Sequence, residues 1–156
     1  MANNYISGAF TLEFISQEAR DMFLALGEAI DQASYEPAAL TEEQRALLTS
    51  AGLDENLDDL YQLAEDVDTY GTNSVYVSSG ESINLEMVAT CAQAVLKKFG
   101  GPPVGFEWAE TCSKGRIGEF GGGACVVTAD VMHWMTSGGW VDEKIKSLTA
   151  STTAWT

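Results

Sequence analysis

The apolar residues of this chain switch period several times, which excludes both a pure helical bundle and a pure β sandwich. Residues 8–15 alternate, with Phe10, Leu12 and Phe14 set against Thr11 and Glu13, and predict a half-buried strand. From 17 to 33 the spacing becomes three and four, through Ala19, Met22, Phe23, Leu26, Ala29, Ile30 and Ala33, behind a Ser16 N-cap. Pro37 stops that helix. Thr41 with Gln44 is a capping-box signature for a short helix closed by Gly52. A third helix is expected over about 54–67, apolar at Leu57, Leu60, Tyr61, Ala64 and Val67.

After Gly71 short strands dominate. Residues 74–79 carry Val75, Tyr76 and Val77, and Asn84 caps a helix over 85–99 that Gly100-Gly101-Pro102-Pro103 ends. Residues 104–112 alternate through Val104, Phe106, Trp108 and Cys112, and 124–129 is a compact apolar run. Residues 131–135 extend the sheet, and 140–148 is a last short helix. The order reads as one α+β domain over 1–156. A mixed or antiparallel sheet of four or five strands carries two main helices, 17–33 and 85–99, on one face. Residues 41–70 form an acidic helical insertion at its edge.

Charge then narrows function. The chain has 8 Lys+Arg and 23 Asp+Glu, a net of −15, which opposes docking on nucleic acid or on anionic membranes. Residues 1–70 hold 15 acids and two bases, Arg20 and Arg45; residues 71–156 hold eight acids and six bases. The two nets are therefore 2 − 15 = −13 and 6 − 8 = −2. No apolar run approaches the roughly 20 residues of a membrane span. The N-terminus lacks the basic start and apolar core of a signal peptide. Three cysteines, Cys91, Cys112 and Cys125, make an odd count with no disulfide framework and are expected reduced, although Cys112 and Cys125 flank a loop across which two strands can meet. A soluble, intracellular protein is expected.

Four groups of residues carry possible chemistry. Lys114 and Arg116 precede Gly121, Gly122 and Gly123 in a loop over 113–123, a combination that can cradle a small anion. It is neither a P-loop nor a dinucleotide fingerprint, and the plain alternative is a hairpin turn with a bulge. Cys112 lies near Lys114 and Arg116, but His133, the lone histidine, falls further along the next strand, so no nucleophilic pair is expected. Cys112, Cys125 and His133 match no zinc module, and no cofactor or metal is expected. Asp54, Glu55, Asp58, Asp59, Glu65, Asp66 and Asp68 have no base among them, and at helical spacing most fall on one face opposite the leucines. Such a row repels itself. A basic partner is one reason to tolerate that; solvation is the other.

Phe106-Glu107-Trp108-Ala109, Thr111-Cys112-Ser113-Lys114, Arg116 and Glu119-Phe120-Gly121-Gly122-Gly123-Ala124 together resemble a pattern in small proteins of no established activity, encoded by phages and other mobile elements. The likeness runs over about 74–140 and leaves out the acidic region. Where similar sequences carry proline after the lysine, this chain has Gly115. The resemblance implies a phage setting, in which small acidic proteins often act against host defence. The leading expectation is a non-enzymatic protein that shows its acidic helical face to a basic, nucleic-acid-binding surface of a host defence complex. The rivals are an anion- or nucleotide-binding protein using Lys114, Arg116 and the three glycines, and a phage structural or assembly protein using aromatics near Trp140 and Trp155.

Overall fold

A computed structural model describes residues 3–152. Six strands and four α-helices follow in the order β1 (Asn4–Glu13), α1 (Gln17–Tyr35), α2 (Glu42–Ser50), β2 (Asp66–Tyr70), β3 (Ser74–Ser79), α3 (Leu85–Phe99), β4 (Val104–Cys112), β5 (Gly121–Val127), β6 (Met132–Thr136) and α4 (Ser137–Thr152). Single 3₁₀ turns lie at Pro37–Ala39 and Leu57–Asp59. The class is α+β, as expected. The sheet is larger than expected: six strands, all antiparallel, in the order β2-β3-β1-β4-β5-β6.

Alternation decides which face is buried. Leu12, Val75, Val77, Val104, Phe106, Cys125 and Val127 join Phe23, Leu26 and Ile30 of α1 and Val88, Cys91 and Val95 of α3 in one core. Their neighbours Thr11, Tyr76, Gly105, Glu107 and Val126 are exposed. The helices α1 and α3 therefore cover one face, touching each other, and the opposite face carries no helix. The capping signals act as read: Ser16 Oγ accepts from Ala19 N at 3.1 Å, Thr41 and Gln44 form the reciprocal box, and the Asn84 side chain accepts from Met87 N.

Residues 54–67 are not a helix. They form an irregular segment with one 3₁₀ turn, and from Asp66 the chain becomes edge strand β2, paired with β3. Two causes act together. Asp and Asn are weak helix formers, and the i,i+4 acid pairs repel. Val67, Thr69 and Tyr70 favour a strand, and Gly71, at φ +65°, turns the chain directly into β3. Leu60, Leu63 and Ala64 still reach the core, so the leucine spacing reports burial without helicity. The insertion at the sheet edge is thus helical only over 42–50.

Three smaller differences matter for the candidate sites. The connecting loop is only 113–120, because Gly121–Gly123 open β5. Cys112 is not opposite Cys125. Cys125 pairs with Phe106, six residues back along β4 and therefore ~20 Å away, too far for a disulfide. Finally, α4 is longer than 140–148 and follows β6 with no intervening residue.

Candidate partner-binding surface

Asp54, Glu55, Asp58, Asp59, Glu65, Asp66 and Asp68 are all exposed. Without the expected helix they form no single row. Asp58 and Asp59 sit on the 3₁₀ turn, Asp54 and Glu55 on the irregular approach to it, and Asp66 and Asp68 alternate around Val67 on β2.

Glu65 has a structural task. Its Oε1 accepts from Ser79 Oγ at 2.7 Å and from Gly80 N at 3.2 Å. Ser79 Oγ accepts in turn from the N–H groups of Glu81 and Ser82 at 3.3 and 3.0 Å. The Ser79 hydroxyl, the largest influence, and the Glu81 and Gly80 amides favour the ionised carboxylate and hold its pKa below the ordinary 4.5. Glu65 therefore ties the acidic segment to the end of β3.

Three acids gather at a place that no local pattern marks. Leu24, Gly27, Leu63, Ala64 and Val67 floor a cavity of ≈ 150 Å³ between α1 and the 63–68 segment, and Glu28, Asp31 and Asp68 line its rim. Partial burial, and then the charge of Glu28, push the Asp31 carboxyl above its usual 3.8. Glu28 and Asp31 are one helical turn apart on α1, but Asp68 arrives only through the β2–β3 hairpin, which helical reading of 54–67 conceals. Among the described residues, the one ion pair in this highly acidic chain joins Arg20 to Asp21 at 2.8 Å. Among the described residues, the other carboxylates form no ion pair.

The glycine-rich segment is divided between a loop and a strand. Lys114 and Arg116 are exposed on 113–120, but the three glycines belong to β5 and serve packing. A Cβ on Gly123 would run into the Trp108 indole and stand 2.5 Å from Met135 O; one on Gly122 would stand 2.5 Å from Trp108 O. Gly122 N already donates to Ser137 Oγ at 3.1 Å. Only Gly121 has positive φ, at 150°.

Cys112 and His133 stay apart. His133 pairs with Val126, which pairs with Gly105, so it stands level with the far end of β4, roughly 23 Å from Cys112 and on the opposite face. Cys112 Sγ donates to Glu119 Oε2 at 3.1 Å. Burial pushes the Cys91 thiol up to about 12 and the Cys125 thiol up to about 11. Among the described residues, no cluster of three or more metal-ligating side chains forms, and no helix is long and apolar enough to cross a membrane. Trp140 is exposed at the start of α4, and Trp155 lies outside the described residues. No family model, curated protein or solved structure matches the chain.

Proposed function

We propose that this chain is a non-enzymatic binding protein whose acidic end receives a basic protein surface. The observation that carries the reading is the uncompensated charge: 15 acids against two bases in residues 1–70, with one ion pair among the described residues. Self-repulsion on this scale lowers folding stability, and a cationic partner relieves it. The presenting surface is the 3₁₀ turn with Asp58 and Asp59, the approach with Asp54 and Glu55, and β2 with Asp66 and Asp68. The cavity bounded by Glu28, Asp31 and Asp68 supplies an anchor. Its apolar floor suits the methylene stem of a lysine or arginine, and its rim suits the charged head. The likeness to proteins of mobile elements favours a nucleic-acid-binding groove of a host defence complex as the basic surface.

The test is capture from host lysate by the immobilised chain at low and high salt, with competing double-stranded DNA in a parallel arm. The comparison is a variant with Asp54, Asp58, Asp59, Asp66 and Asp68 changed to Asn and Glu55 to Gln. Glu65 is kept, because it holds the fold. A partner that binds the acidic end is released by salt, competed by DNA and lost from the variant. Capture that survives all six substitutions refutes the proposal.

A further inference from the structure

The sheet has two edges, and only one is guarded by charge. Strand β2 at one end holds Asp66 and Asp68 within five residues, so a second copy pairing there would set carboxylates opposite carboxylates. Strand β6 at the other end carries no charged residue and no proline, and its register with β5 runs without a bulge. Charge, proline and bulges are the usual guards of a strand edge, and β6 has none of them. Among the described residues no strand follows it. His133 to Thr136 are exposed, and so is α4 over 137–147, so that helix is not packed along the free flank.

Hydrogen-bond phase shows what the flank offers. Thr128 N donates to Val131 O at 2.8 Å, so these two residues form a hydrogen-bonded pair, and the pairs alternate from there along the ladder. His133 and Met135 therefore bond to Val126 and Ala124, while the backbone groups of Met132, Trp134 and Thr136 point away from β5. An antiparallel copy of β6 centred on Trp134 meets that set in phase. Met132 then lies opposite Thr136, His133 opposite Met135 and Trp134 opposite itself, with no like charges facing each other. The Trp134 ring lies on the core side with Cys125 and is 44% exposed. It ends an aromatic row, 6.2 Å from Phe106 and 6.0 Å from Trp108, and a second Trp134 continues that row and covers it.

Charge admits a second copy at this edge. Residues 111–156 hold four bases and four acids, whereas 1–110 hold four bases and nineteen acids, so the whole net charge, 4 − 19 = −15, lies in 1–110. Two copies repel when their acidic ends meet and are spared that repulsion when their β6 edges meet. We infer that the chain forms a two-fold dimer in which β6 pairs antiparallel with β6 of a second copy, joining the two sheets into one. The edges left over are the two guarded β2 strands, so pairing stops at the dimer. A contact one strand long is small beside the ~1,200–2,000 Å² of a standard interface, so association is concentration-dependent. It does not involve the acidic end, which lies at the opposite edge.

Sedimentation velocity of the full chain from about 1 to about 500 μM, at about 0.15 M salt, tests it, with circular dichroism as the folding control. The parent is expected to pass from monomer to dimer in that range. Two double variants address the register on exposed side chains: His133→Lys with Met135→Lys, and His133→Glu with Met135→Glu. Each sets like charges opposite like charges across the axis and should weaken association roughly tenfold or more. An equimolar mixture of the two should restore dimers, because lysines then face glutamates. Amide exchange of Trp134 should slow as the parent is concentrated, while that of Met135, already bonded to β5, should not. A monomeric parent overturns the inference. So does a dimer that both double variants retain, a mixture that stays monomeric, or a dimer in which Trp134 exchange is unchanged.

Discussion

Glu65 shows how one hydrogen-bond set decides what an acidic residue is for. Among exposed acids it resembles its neighbours in sequence, yet Ser79 and Gly80 fix it to the end of β3. Its depressed pKa sets the sign of its pH effect. In the folded chain it ionises below the ordinary 4.5, so its contribution is fully present above that value and is lost as pH falls through the lower, folded one. Asp31 behaves oppositely. Its carboxyl is raised above 3.8 by burial and by Glu28, so acidification through its folded value relieves the folded state. Thermal unfolding followed from neutral pH into the acid range should therefore show a shallower acid-side loss for Glu65→Gln, because the amide oxygen still accepts from Ser79 but cannot titrate. Asp31→Asn should raise the neutral-pH midpoint and steepen the loss below it. Identical acid limbs for parent and Glu65→Gln would show that the Ser79 contact does not select the ionised form.

At the level of elements, the glycine triplet is where the gain from structure is largest. Gly122 and Gly123 let β4, β5 and β6 approach around the Trp108 indole, which also packs edge-on against Trp134 at 6.0 Å. Gly123→Ala is expected to destabilise by about 1–3 kcal/mol, since its Cβ meets the indole and a backbone carbonyl that cannot both move away. Gly115→Ala, in open space on the 113–120 loop, should be near neutral in the same urea titration, which controls for the general effect of replacing glycine. Elements with local stop signals were legible beforehand. The bounds of α3 follow from Asn84 and Gly100, and those of β3 and β4 from alternation between turn residues. The failures share a cause, which is that the deciding contact is distant in sequence. Residues 60–64 keep a helical leucine spacing because Leu60 and Leu63 reach a core built by α1 and α2, while the strand after them exists only through β3. Likewise, nothing local separates a glycine that frees a loop from one that admits a tryptophan from the neighbouring strand. Of the candidate site, the identities and exposure of the seven acids were legible. Their arrangement was not, and neither was the cavity joining Glu28 and Asp31 to Asp68.

For the whole molecule, the acids form a gradient rather than a coat. The −13 of residues 1–70 is concentrated in α1, α2, the irregular segment and β2, whereas α4 at the other end of the sheet order is neutral overall. Such a separation costs folding energy only on one side, because repulsion between exposed charges fades beyond a Debye length, ~10 Å at 0.1 M salt. Added salt should therefore stabilise the chain by screening its acidic end, not by tightening its core. Raising sodium chloride from about 0.01 to about 0.3 M shortens that length several-fold and should raise the unfolding midpoint. In the six-site Asn/Gln variant the starting midpoint should be higher and the salt increment smaller, since most of the repulsion is already gone. Sodium sulfate at matched ionic strength separates the mechanisms: exclusion from apolar surface strengthens burial in parent and variant alike, whereas screening distinguishes them. If sodium chloride raised both midpoints equally, the acidic end would carry no internal strain, and relief of repulsion would be lost as the reason for it to bind a basic surface.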